Sequence, residues 1–166
     1  MPAAAAVRLA LGDRAGAAAL LTELETTPNI REDLGYVKSL PDAVATALAA
    51  GDEDLARRLA EHVDPIWPLH EQALVSVRAL LAEHGGEHAE AAELFAEAAL
   101  RWERFDMPWE RAQALLGRGR CLLPLGRPAE ATPAIRQARE LFATLGATPA
   151  VRETDVLLER GLAASS

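Results

Sequence analysis

Apolar residues recur at intervals of three and four along most of the chain, the spacing that places them on one face of a helix. Ala91, Leu94, Phe95, Ala98 and Trp102 form such a stripe between Glu87 and Phe105. Ala131, Ile135, Ala138, Leu141, Phe142 and Leu145 form another between Pro128 and Leu145. A partner helix over 108–125 carries Leu115, Gly119, Leu122 and Leu123, and Asp106 ahead of Met107-Pro108 reads as its cap. Earlier segments predict helices near 3–11, 14–26, 30–38, 41–50, 52–63 and 67–84, with Pro28, Pro41, Pro65 and Pro68 marking breaks. A final helix is expected over 149–163, and kinks or 3₁₀ turns at Pro124 and Pro133. β-branched residues are scarce and do not run together, so no segment reads as a strand and the fold class is all-α.

A longer period underlies these stripes. A Leu or Glu, then Gly three residues on and Ala five after that, occurs at Leu9/Gly12/Ala17, Leu48/Gly51/Ala56, Glu83/Gly86/Ala91 and Leu123/Gly126/Ala131. The glycines stand 39, 35 and 40 residues apart, the period of stacked helix pairs. Glycine after a Leu-rich helix supplies the left-handed conformation that closes its C-terminus. Asp13, Asp52, Glu87 and Arg127 turn the chain, and the small Ala lets the next helix approach closely. One helix pair leaves an apolar face uncovered, so successive pairs stack. The expected architecture is a right-handed α-solenoid of antiparallel helix pairs over 1–163. Its repeats are clearest over 67–146 and degenerate over 3–63, a capping helix occupies 149–163, and a disordered tail follows at 164–166.

Composition sharpens this picture in three ways. Half of the 166 residues are hydrophobic but only 4% are aromatic, so the apolar mass is mostly Ala and Leu, both strong helix formers. The net charge of −8 argues against a nucleic-acid surface, although it is uneven: 51–100 carries eleven acids against three Arg, and 101–140 eight Arg against five acids. Cys121 is the single cysteine, which excludes an internal disulfide and a cysteine metal cluster. The Ala-rich start, interrupted by Arg8, is too short for a membrane span or signal peptide, and a reducing, cytoplasmic setting is expected.

The small residues around two of these alanines carry a family resemblance. Gly119 stands twelve residues and Gly126 five residues before Ala131, with Ala138 seven after it; around Ala91 the matching positions are Ala79, Gly86, Phe95 and Ala98. That spacing resembles the tetratricopeptide consensus. The stretch Leu122 to Pro149, L-L-P-L-G-R-P-A-E-A…A-R-E-L-F-A-T-L-G-A-T-P, looks like the C-terminal helical arm of large ATP-binding LuxR-type regulators and related signalling ATPases of actinomycetes. The resemblance implies an arm that senses a ligand or partner between an ATPase module and a DNA-binding helix-turn-helix. This chain lacks the G-x-x-x-x-G-K-[ST] phosphate loop and has nothing after Gly161 to form DNA-reading helices, so neither activity carries over.

Catalytic chemistry finds little foothold. His84 and His88 are spaced like helical metal ligands, but Gly85-Gly86 breaks the helix between them. Ser39 and Ser76 lack nucleophile surroundings. Gly117-Arg118-Gly119-Arg120 imitates a phosphate loop yet falls inside a helix, where close packing explains its glycines better. No enzyme activity, metal or cofactor is therefore expected. The concave face of a helical-repeat array, lined by the first helix of each pair, is expected to draw on Val75, Arg78, Leu115, Leu116, Arg118, Arg120 and Leu123. From these, Arg78, Leu116, Arg118 and Arg120, with Trp109 at a helix start, are the candidate partner-binding residues, and Arg118 and Arg120 suit an acidic peptide or anionic ligand. Trp102 reads as core. The expected function is a non-catalytic protein-interaction or sensor module, with no direct nucleic-acid or membrane contact. Its alternatives are a self-associating scaffold, homodimeric through a terminal helix, and a small-molecule-sensing helical domain.

Overall fold

A computed structural model describes residues 1–164 and is all-helical, with nine α-helices, one 3₁₀ turn and no strand among the described residues. The chain divides into two compact units, Met1–Leu80 and Leu81–Ser166. The first holds α1 (Pro2–Ala10), α2 (Arg14–Glu25), the 3₁₀ turn Ile30–Glu32, α3 (Leu34–Ala50) and α4 (Glu53–Ala60). α5 (Pro68–His84) contributes residues to both units, and the second contains α6 (His88–Arg104), α7 (Pro108–Leu122), α8 (Pro128–Thr144) and α9 (Thr148–Ala164). The tail expected over 164–166 does not include Ala164, which is helical; Ser165 and Ser166 lie outside the described residues.

In the first unit α3 packs against α1, α2 and α4 around Leu21, Val37, Leu40, Val44, Leu55 and Leu59, all fully buried. Three helices begin on an aspartate: the Asp13, Asp33 and Asp52 carboxylates accept from the backbone N–H of Gly16, Tyr36 and Leu55. Each bond satisfies one of the donors a helix start leaves open. The break expected at Pro41 does not occur, and α3 runs through it. Burying Val37, Leu40 and Val44 on one face is worth about 1.5–3 kcal/mol per side chain, which together outweighs the roughly 3 kcal/mol an internal proline costs. The predicted 30–38 helix starts instead at Leu34, after the 3₁₀ turn.

The second unit is more regular. α6 packs on α7, α7 on α8 and α8 on α9, and α7 also touches α9. Left-handed residues stand at Gly86, Asp106, Gly126 and Gly146, twenty apart each time. All four make the same turn: the left-handed residue's N–H donates to the carbonyl three before it, and the next N–H donates to a carbonyl five back, as from Gly126 to Leu123 and from Arg127 to Leu122. This double bond is the Schellman closure of a helix C-terminus. Asp106 is thus not the cap of α7, as its position suggested, but the left-handed residue that ends α6; aspartate tolerates that conformation better than most.

The glycines predicted to end helices, Gly12, Gly51, Gly86 and Gly126, all have φ between 69° and 88°. Ala17, Ala56, Ala91 and Ala131 are each 0% exposed, as expected for residues at a helix–helix contact. Pro124 lies just beyond the end of α7, while Pro133 sits inside an unbroken α8. The carbonyl that Pro133 leaves without a donor belongs to Ala129, which is exposed, so the lost bond falls on the solvent side of the helix.

Candidate binding surface

α7 is the centre of the second unit, and its glycines set how tightly it is held. A Cβ on Gly117 would lie 2.6 Å from the Phe95 ring of α6, and one on Gly119 would overlap Ile135 of α8. The Gly117-Arg118-Gly119-Arg120 run is therefore a two-sided packing surface, with its arginines on the positions the glycines leave over.

Those two arginines have different surroundings. Arg120 is engaged within the molecule: its Nε and Nη2 donate to Glu83 at 2.7 and 2.9 Å, and Nη1 lies 3.5 Å from Glu153 of α9. Burial opposes its charge, but the Glu83 bonds and the charges of Glu83 and Glu153 outweigh that, and its pKa is raised. A forked pair of this kind is geometrically saturated, so Arg120 is a structural tie and not an open anion receptor. Arg118 is half-buried, with Nε withdrawn from solvent and no acceptor bonded to it. Its charge and the Arg127 hydrogen bond both hold the Glu130 carboxyl low, the latter more strongly.

The remaining candidates divide in the same way. Leu116 is 1% exposed and belongs to the core, because α7 is covered on nearly every side; Leu115 beside it is buried too, and Val75 is buried within the first unit. Trp109 is half-buried, its ring edge-on to Phe142 with centroids 5.3 Å apart. Arg78 is exposed on α5 within the first unit, and Trp102 is core as expected. Arg78, Arg118 and part of Trp109 thus reach solvent.

Cys121 is buried and its thiol is pushed up to about 12, first by burial and then by the charge of Glu83, so no thiolate forms at neutral pH. His84 and His88 flank the Gly86 turn, and no group of three metal-ligating side chains comes together among the described residues. No helix among them is long and apolar enough to cross a membrane.

One residue set escaped the sequence reading. Arg31 donates from Nε to the Glu61 carbonyl at 2.7 Å and from Nη2 to the Arg58 carbonyl at 3.1 Å, and the Tyr36 hydroxyl donates to the Leu59 carbonyl at 2.5 Å. Together they close the C-terminus of α4, aided by Glu25 beside Arg31 at 3.5 Å. Partners about 30 residues apart leave no local signature. No family model matches this chain, and no curated protein is significantly similar to it.

Proposed function

We propose that this chain is a non-catalytic interaction module of tetratricopeptide type, built as a right-handed array of helix hairpins that presents its inner helices to a protein or peptide partner. The observation that carries the reading is the twenty-residue repeat of identical turns at 86, 106, 126 and 146. Two such turns make one hairpin of about the length that translational stacking requires. The contact of α7 with its second neighbour α9 supports placing both on the inner side of the curve. Residues 122–149, whose pattern resembles the arms of large regulators, fall within this regular part, and a regulatory, cytoplasmic role accords with that resemblance.

On this reading Arg118 is the main anchor for a partner carboxylate, with Trp109 as the apolar contact. The half-buried guanidinium of Arg118 is the feature an acidic group would pair with. The test is to capture a partner on the immobilised chain, purify it, and titrate it against wild type, Arg118→Ala and Trp109→Ala. Arg118→Ala is expected to weaken binding tenfold or more, equivalent to about 1.4 kcal/mol. Equal affinity for all three proteins removes the proposed surface. A small molecule that raises the melting temperature in the absence of any captured protein would favour the sensing alternative.

A further inference from the structure

α4 is the shortest α-helix among the described residues, eight residues from Glu53 to Ala60. A helix of that length does not persist by itself in water, so it depends on what it packs against. Three of its side chains, Leu55, Ala56 and Leu59, are fully buried, where α4 meets α3 and α2. In the connection that follows, 61–67, only Val63 is buried. The end of α4 is held by side chains from elsewhere: the Arg58 and Glu61 carbonyls accept from Arg31, and the Leu59 carbonyl from Tyr36. Arg31 stands on the 3₁₀ turn, and its Nη1 also donates to the Glu25 carbonyl at 3.5 Å. One guanidinium thus ties the end of α2 to the end of α4. Left-handed residues bound the segment, Gly51 at φ 88° and His62 at φ 61°. The Cβ of His62 makes that conformation costly. Beyond it, the Asp64 carbonyl is fixed by His70 Nδ1 at 2.7 Å.

We propose that residues 53–63 form a strap that opens as one unit while α1, α2 and α3 stay packed, and that Arg31 is its latch. Opening takes only Leu55, Ala56, Leu59 and Val63 out of the interior, whereas unfolding α3 exposes Val37, Leu40, Ala43, Val44 and Ala47. Segments with few buried apolar contacts open at lower free energy than the core they rest on. The latch bonds run from Arg31 to carbonyls 27 and 30 residues away, so they fix where the strap lies and contribute nothing to its own helical turns. The two ends are suited to the movement. Gly51 is free to change its backbone angles, and His62 relaxes when it leaves the left-handed region. Opening uncovers the part of α3 beneath α4, so the strap governs access to an apolar face inside the first unit. This inference does not rest on the reading of the second unit as a binding module.

Amide hydrogen exchange of the full chain, followed by NMR, tests the proposal. In wild type the amides of residues 57–61 are expected to exchange at one common rate, about tenfold or more faster than those of Val44 and Ala47 in α3. Arg31→Ala is expected to raise the rates over 57–61 by about tenfold, because the open strap has already lost the bonds that this substitution removes. Ala17→Gly weakens α2 at a buried contact that the open strap keeps. It should therefore speed Val44 and Ala47 roughly threefold and leave 57–61 unchanged. Exchange of 57–61 in step with Val44 and Ala47 in wild type overturns the strap, as does an Ala17→Gly variant that speeds both sets alike. Rates over 57–61 that stay within about twofold of wild type in Arg31→Ala overturn the latch. Should Arg31→Ala fail to fold, Arg31→Lys takes its place with the same expectation, since an ammonium keeps the charge without the fork that reaches two carbonyls.

Discussion

The two units arrive at helical structure by different local devices. In Leu81–Ser166 the helices run 15 to 17 residues, each turn is a Schellman closure, and a proline opens α7 and α8. Proline there presets φ and removes a backbone N–H that would otherwise need a partner, so these helices begin without a side-chain cap. In Met1–Leu80 the left-handed residues stand at 12, 29, 51 and 62, and helix lengths from α1 to α4 run from 8 to 17. Aspartate caps open α2, α3 and α4, while Arg31 and Tyr36 close α4 from a distance. The Gly12 and Gly51 turns close α1 and α3 with the same pair of backbone bonds, so the units differ in how their helices begin and in the side-chain closure of α4, not in this turn.

The largest expected effect separates the units by pH. Burial holds the Cys121 thiol protonated up to about 12 against an ordinary value of 9.0, and burial likewise raises the Tyr36 phenol from 10.0 to about 12. The unfolded chain gives up these protons first, so folding stability is intact below pH 9 and falls as pH rises toward 12. At about 1.4 kcal/mol per pKa unit the loss at each site is on the order of 3 kcal/mol. The second unit should begin to weaken above pH 9 and the first above pH 10. Urea midpoints measured from pH 8 to 11 check this, and Cys121→Ala should remove the slope between pH 9 and 10. A flat profile in wild type would contradict the burial assigned to both groups.

Next in size is Gly119→Ala, whose methyl would meet Ile135. Overpacking of this kind costs about 1–3 kcal/mol, partly offset by the better helix propensity of alanine. Unchanged thermal stability would mean that α7 and α8 are less closely packed than described. The repeated turns are probed by Gly126→Ala, with φ at +69°, expected to lose about 1 kcal/mol, and by Asp106→Gly, expected to gain a few tenths. The smallest contrast concerns the helix starts. Asp52→Ala should cost about 1 kcal/mol through its lost cap, whereas Arg127→Ala, which removes no cap and only an exposed pair with Glu130, should leave the midpoint almost unchanged in the same denaturation assay.

Much of the second unit was legible before any coordinates. Gly86 and Gly126, Ala91 and Ala131, and the stripe ending in Trp102 all occupy the places their spacing implied, because each reports a contact between neighbours in sequence. The twenty-residue half-period was missed, since Asp106 stands where glycine stands in the other turns and Gly146 was not matched to them. In the first unit Pro41 misled, because a local penalty was weighed without the burial that overrides it. The candidate surface was read less well. Leu116 and Arg120 have the right residue types for a binding face, but periodicity along one helix does not tell how many neighbours surround it.

What the sequence determined by itself is the helical class, the turns and the small residues at helix contacts, because these depend on backbone conformation and on interactions within a few residues. The tertiary structure decided which charges are spent internally, as with Arg120 on Glu83 and Arg31 on the end of α4. It also decided which apolar side chains remain uncovered, as on α1. Both outcomes depend on the distances between segments far apart in the chain, and such distances exist only once the helices have packed.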